Sequence, residues 1–236
     1  YNMNIKKQIK ENGFINADIK DKTNLKEEIL KLKNKKNAVI LAHYYVDSKI
    51  QDLADFVGDS LALSQKASKT QADIIVFAGV HFMAETAKIL SPDKKVLLPD
   101  LTAGCSMADS CPATDFSRFL KDYPDYTVVS YINTTAVIKT LTDIVCTSSN
   151  AKQIIESLPK DEKIVFAPDR NLGNFIKRQT GREMVIWDGA CHVHVEFSLP
   201  GILQLKEKNP ESRIIEHHEC EAPVLKIADF IGSTSQ

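Results

Sequence analysis

The chain has 236 residues, 43% hydrophobic and 26% charged, with 30 Lys and Arg against 31 Asp and Glu, a formal net charge of −1. This is the composition of a soluble globular protein long enough to bury a substantial core, and length alone suggests one or two ordinary domains. The basic residues are spread along the chain, which argues against nucleic acid or a membrane surface as partner, and no apolar run approaches the ~20 residues that span a bilayer.

In chain order, residues 1–20 are polar and lack a signal-peptide core, so a cytoplasmic protein is expected, with Met3 read as its natural start. An amphipathic helix is predicted over 24–36, feeding a buried strand over 38–42 that ends at His43-Tyr44-Tyr45. A helix from about 49 to 55 leads to Val57, and Gly58-Asp59-Ser60 opens a helix over 61–70 with Asp59 or Ser60 as its N-cap. A strand over 74–78, a helix over 84–90 and a strand over 96–98 follow, the last running into Asp100 and Cys105. The plan then recurs, with a helix over 115–121 and strands over 127–130, 144–145, 164–167 and 185–187, closing on Asp188 and Cys191. A third pass starts with a helix over 200–206 and reaches Gln236 without its last two strands.

Three stretches carry this recurrence: VILAHYYVDSKIQDLADFVGDSLAL, TVVSYINTTAVIKTLTDIVCTSSN and RIIEHHECEAPVLKIADFIGSTSQ. His43 to Ser60, Tyr131 to Ser148 and His217 to Thr234 each span 17 positions, and the copies start 88 and 86 residues apart. Inside that frame Tyr45, Asn133 and Glu219 align, as do Asp55, Asp143 and Asp229. A period near 87 is too long for a solenoid unit and suits a small βα lobe used three times. The predicted fold is therefore α/β, with three pseudo-threefold αβα lobes, each holding a short parallel sheet. They cover residues 1–112, 113–198 and 199–236, the third incomplete. Open parallel sheets present ligand groups at the carboxyl ends of their strands, so three such sets imply one shared site at the central axis.

Asp100 matches Asp188, and Cys105 matches Cys191 at a spacing of 86, which places a third cysteine a similar distance further on, beyond residue 236. Five cysteines without a secretory leader speak against a disulfide framework. Alone, Cys105 and Cys191 would read as small buried hydrophobes; their equivalence in the repeat reverses that. Three converging thiolates suit a four-iron cluster with one iron open, and zinc on Cys₂His plus water, using His194 or His217, competes evenly from spacing. Cys111, Cys146 and Cys220 read as structural, and His81 and His192 as packing or surface residues. Asp55, Asp143 and Asp229 read as caps or interlobe salt bridges. Ser60, Ser148 and Thr234 precede expected helix N-termini, each worth roughly 0.3–1 kcal/mol toward an anion.

The set HYY…GDS, DLTAGCSMADSC, SYINT, CTSSNA, PDRNLG, WDGACHVH, HHEC and GSTS, in this order, resembles the quinolinate synthase family, iron-sulfur enzymes of de novo NAD biosynthesis. The resemblance implies three αβα lobes around a 4Fe-4S cluster and condensation of iminoaspartate with dihydroxyacetone phosphate to quinolinate, with loss of phosphate and water. It implies Cys105 and Cys191 as cluster ligands, with the third ligand outside these residues. His43, Tyr45, His217 and Glu219 fall on catalytic positions, and Ser60, Tyr131, Asn133, Ser148, His194, Ser233 and Thr234 on substrate-binding positions. Handover of iminoaspartate from an L-aspartate oxidase or dehydrogenase is also implied. His218 stands where the family has proline. A cluster-free or noncatalytic chain that binds small anions, and a zinc-dependent lyase or hydrolase, stay open as alternatives.

Overall fold

A computed structural model describes residues 2–16, 19 and 23–236. Tyr1 and Lys20, at the ends of the polar leader, lie outside the described residues. The chain divides into two compact units, residues 1–105 and 106–236.

The first unit runs α1 (Asn2–Asn12), α2 (Leu25–Lys35), β1 (Ala38–His43), α3 (Ser48–Gln51), β2 (Phe56–Gly58), α4 (Ser60–Lys69), β3 (Ile74–Ala78), α5 (His81–Leu90) and β4 (Lys95–Leu97). Helix α1 forms in the polar N-terminal stretch, where no element is expected from the sequence. Asn24 caps α2 through its side chain, which accepts the Glu27 N–H at 3.3 Å, and Asp59 caps α4 by accepting from Ala62 N at 2.8 Å. The strands form one parallel sheet in the order β2-β1-β3-β4. The central strand β1, AVILAH, is buried from Val39 onward, the near-continuous apolar run expected of a parallel strand covered on both faces. The helix expected over 49–55 shrinks to the single turn of α3, because the chain must come back into the sheet by Asp55, whose N–H bonds Ile40 O at 2.9 Å.

The second unit runs α6 (Ser106–Asp109), α7 (Ala113–Phe119), β5 (Thr127–Tyr131), α8 (Ala136–Lys139), β6 (Ile144–Cys146), α9 (Ala151–Ser157), β7 (Ile164–Ala167), α10 (Arg170–Thr180), β8 (Val185–Ile186), α11 (His192–Val195), α12 (Leu199–Lys208), β9 (Ile215–His217), α13 (Ala222–Leu225) and β10 (Phe230–Gly232). Its first sheet has the parallel order β6-β5-β7-β8, the order of the first unit's sheet, and β10-β9 form a second parallel pair. Phe116, Ile138, Val165 and Ala167 pack beneath the larger sheet with Trp187, whose indole N–H donates to Ser110 O at 3.0 Å. Helix α10 ends at Gly181 in the left-handed region (φ 67°), a conformation glycine adopts without cost.

The repeat is visible in register as well as in order. His43 pairs with Gly58, Tyr131 with Cys146 and His217 with Gly232. A side chain at 58 or 232 would meet the ring of Phe56 or Phe230 at 2.9 and 2.6 Å, so glycine lets these rings lie where they do. The middle copy has Ile144 in place of that phenylalanine and accommodates Cys146. Each aligned aspartate does one job within its own repeat: Asp55, Asp143 and Asp229 accept the backbone N–H of Ile40, Val128 and Ile214 at 2.8 Å each. The N–H of the same aspartates returns a bond to those residues' carbonyls at 2.9, 3.0 and 2.8 Å. These are strand staples, not interlobe bridges; Asp55 adds an ion pair to Lys33, also inside the first unit. Asp143→Ala leaves the Val128 N–H without its acceptor. It is expected to lower unfolding free energy by about 1–3 kcal/mol in urea titration, with Asp143→Asn losing less.

Among the described residues no helix is long and apolar enough to cross a membrane.

Candidate functional site

Glu219 is the centre of the richest cluster. It lies in the turn after β9, is 3% exposed, and is surrounded by groups from both sheets of the second unit. One oxygen lies 3.2 Å from His194 Nδ1 and the other 3.5 Å from His217 Nδ1. The Tyr131 hydroxyl also donates to the carboxylate. The His194 and His217 rings stack with centroids 5.0 Å apart. Glu219 N–H donates to His217 Nδ1 at 3.3 Å, and Asn171 Nδ2 donates to Glu219 O at 3.1 Å. Backbone and side chain of Glu219 are thus both held.

This arrangement sorts the charges. Burial alone would raise the Glu219 carboxyl, but the bonds and charges of His194, His217 and Tyr131 outweigh it and hold the group below the ordinary value. His194 is pulled down by burial but raised more strongly by Cys191 and Glu219, so it stands well above an ordinary histidine. His217 is lowered, chiefly by burial. Because its Nδ1 accepts the Glu219 N–H, the neutral ring carries its proton on Nε2, which is buried and has no protein partner. A carboxylate, a raised histidine and a neutral histidine with a spare donor therefore share one pocket.

Cys191 opens α11 on the same side of this unit. Its Sγ, a ring nitrogen of His194 and an oxygen of Glu219 lie within 4.8 Å of one another, a set able to hold a metal ion. Asp169 fixes the cysteine: this fully buried carboxylate accepts from Leu172 N at 2.7 Å, capping α10, and from Cys191 N at 2.9 Å. Burial pushes Asp169 up to about 6. Asp169 lies in the PDRNLG motif and is not among the residues expected in the site; its signal in the sequence is an aspartate directly before a helix. Cys111, Cys146 and Cys220 are different. Each is buried and each thiol is pushed up to about 12 by that burial, which disfavours the thiolate.

The other predicted residues fall as follows. Asn133 follows β5 in a tight turn, with its Oδ1 buried and lacking a protein partner. Ser148 is half-buried in the turn before α9, and there Asn150 Oδ1 accepts from both Thr147 N and Thr147 Oγ1, at 2.7 and 3.1 Å. Gln236 makes the matching pair of bonds to Ser233, at 2.9 and 3.1 Å. Ser233 is buried, and Thr234 is exposed in a turn. Helix α9 begins at Ala151, three residues past Ser148.

In the first unit, His43 ends β1, buried and lowered to about 4, mainly by burial. Tyr45 N–H donates to His43 Nδ1 at 3.3 Å, the bond that Glu219 makes to His217, and the Tyr45 ring lies 4.1 Å from the imidazole with its residue 72% exposed. Ser60 starts α4, and Cys105 is half-buried in the loop after β4. His81 and His192 are surface residues beside Glu85 and Glu196. His218, in the place of the expected proline, packs its ring 4.8 Å from Phe175 and leaves Glu219 buried.

His43 and His218, both lowered to about 4, make stability depend on acid. Between about 6.5 and 4 the unfolded chain takes up protons that the folded one refuses, so stability present above pH 6.5 is lost as pH falls toward 4. Asp169 runs the other way: raised to about 6, its contribution is complete below its unfolded value and lost as pH rises through 6. The two slopes oppose, so the difference between variants is the clean measurement. His218→Gln is expected to flatten the acid loss by about 1–3 kcal/mol relative to wild type in urea titrations at pH 7 and pH 4.

Fold and site together define a multi-lobed parallel α/β protein with a buried carboxylate–histidine–thiol centre at strand ends. Residues 27–236 match the family model described as NadA, Quinolinate synthetase A protein. Quinolinate synthase from Synechocystis sp. (strain PCC 6803) is 62% identical over 207 residues, 88% of this chain and 65% of that protein. The Microcystis aeruginosa quinolinate synthase gives the same figures, and that of Prochlorococcus marinus (strain MIT 9313) is 58% identical over 212 residues, 90% of this chain and 64% of its own length. The chain belongs to the quinolinate synthase family. It spans just under two thirds of the length of these relatives.

Proposed function

We propose that the protein is a quinolinate synthase that condenses iminoaspartate with dihydroxyacetone phosphate, with loss of phosphate and water, in the cytoplasm. The observation that carries this is Glu219, a buried carboxylate kept ionised between a raised and a lowered histidine, in a chain of this family. Iminoaspartate arrives in this reading from an enzyme that oxidises L-aspartate.

Cys105 and Cys191 would hold a 4Fe-4S cluster together with a third thiolate. The donor set suits it: these two cysteines occupy equivalent loops after β4 and β8. When bound, such a cluster supplies an open iron that acts as a Lewis acid toward carboxylate or hydroxyl oxygen. The protein's own groups do the rest. Glu219 takes a proton from carbon or nitrogen of the condensing substrates, with His194 beside it as the acidic partner. His217 Nε2–H offers a hydrogen bond to a substrate oxygen, Asn133 Oδ1 offers an acceptor for nitrogen or hydroxyl, and the Tyr131 oxygen, whose hydrogen goes to Glu219, offers a second acceptor. Ser148, Ser233 and Thr234 supply hydroxyls and turn amides for carboxylate or phosphate. By the sequence repeat, His43, Tyr45 and Ser60 hold in the first copy the positions of Tyr131, Asn133 and Ser148 in the second, and the proposal assigns them to the same substrates.

The test is quinolinate production by full-length, anaerobically reconstituted protein, with iron and sulfide counted per chain. About four of each with turnover supports the reading. Zinc at about one per chain without quinolinate would favour a zinc enzyme on Cys191 and its neighbours.

A further inference from the structure

Gln51 and Lys139 stand 88 positions apart, the spacing of the first two repeats, and make the same bonds. Gln51 Nε2 donates to Tyr44 O at 3.1 Å and to Val46 O at 2.9 Å. Lys139 Nζ donates to Ile132 O at 3.0 Å and to Thr134 O, with Thr134 Oγ1 at 3.5 Å. Ile132 and Thr134 are the repeat equivalents of Tyr44 and Val46. In both copies, then, one side chain ties the two carbonyls that flank a single residue, Tyr45 in the first and Asn133 in the second.

Those carbonyls lie past the end of a strand, and Ile132 O also accepts the Thr134 N–H at 2.8 Å. What the side-chain donor adds is a link between the two carbonyls, which orders the turn. In the second copy the order has an object: Asn133 Oδ1 is buried without a protein partner, and Thr134 Oγ1 ties the turn again by donating to Tyr131 O at 2.9 Å. In the third copy the equivalent of Lys139 is Leu225, which is buried and has no donor. There the turn is tied from α10 instead, by Asn171 Nδ2 on Glu219 O at 3.1 Å. Each of the three turns thus has a side-chain brace on its backbone: in the first two it holds the carbonyls on either side of the central residue, and in the third it holds the carbonyl of that residue itself.

We propose that Gln51 and Lys139 are positioning residues that hold Tyr45 and Asn133 in place to meet substrate. This rests on the quinolinate synthase reading. Lys139→Met, in the full-length cluster-loaded enzyme, is expected to lower kcat/KM by about 10–100-fold, with iron content and Tm close to wild type. Lys139→Gln, which copies the first repeat, recovers most of that loss. The double variant Lys139→Met/Asn133→Ala is expected to be no slower than Asn133→Ala alone, since a brace has nothing left to place. A wild-type kcat/KM for Lys139→Met, or losses that multiply fully in the double variant, overturns the proposal. If Lys139→Met does not fold, Gln51→Leu with Tyr45→Phe gives the same cycle in the first repeat. If wild type forms no quinolinate, the functional reading falls and the brace is judged by amide exchange. Lys139→Met then speeds exchange at Ile132 and Thr134 about tenfold or more, and unchanged exchange overturns it.

Discussion

Glu219→Gln is expected to keep the fold and the iron and to lower turnover by about 10²–10⁴-fold, the range supplied by a positioned acid or base. The side chains are nearly isosteric, so the turn after β9, held by the bonds of Glu219 N–H to His217 and of Asn171 to Glu219 O, has no steric reason to move. What goes is the negative charge that His194 and His217 enclose at 3.2 and 3.5 Å. His194 loses one of the two groups that raise it, so proton donor and proton acceptor are weakened together. Glu219→Asp keeps the charge but draws it back by one methylene, and its turnover should lie between the two. The assay is quinolinate formation beside iron content and circular dichroism of the same samples. Wild-type turnover in Glu219→Gln would remove this carboxylate from the mechanism.

The second large effect is on metal. Cys191→Ala is expected to abolish cluster retention after anaerobic reconstitution, whereas Cys146→Ala, which removes a thiol pushed up to about 12, keeps it. Cys191 is buried at the start of α11 with its N–H fixed on Asp169, so its sulfur is placed before any metal arrives. Iron, sulfide and the visible absorbance of the cluster are the measurements. A full cluster in Cys191→Ala would sink the assignment. Zinc retained by the cluster-free protein and lost in Cys191→Ala would instead assign the metal to Cys191, His194 and Glu219.

Much of this was legible in residue order alone. Buried parallel strands such as AVILAH and IVFA announce themselves because both faces are covered and apolar residues run together. The 17-residue spacing inside each copy is a strand, a short turn of helix and a second strand, and the matching registers at Gly58, Cys146 and Gly232 are its physical meaning. The aspartates at 55, 143 and 229 also stood out. Their job did not, because a carboxylate that bonds an N–H 15 residues earlier leaves no local pattern.

What the chain order determined is therefore the lobe, its repetition, and the strand-end positions at which ligand groups appear. What only tertiary structure decided is which of those groups meet and in what charge state. Tyr131, Cys191, His194, His217 and Glu219 come from segments up to 88 positions apart, and the Glu219 carboxyl is held low against its burial by His194, His217 and Tyr131. Asp169, Asn171, Gln51 and Lys139 act on backbone atoms, which every residue carries, so their side chains gave no sign of what they hold. Separations of that length, and partners that carry no side-chain identity, are set by the packing of sheets and helices rather than by neighbours in sequence.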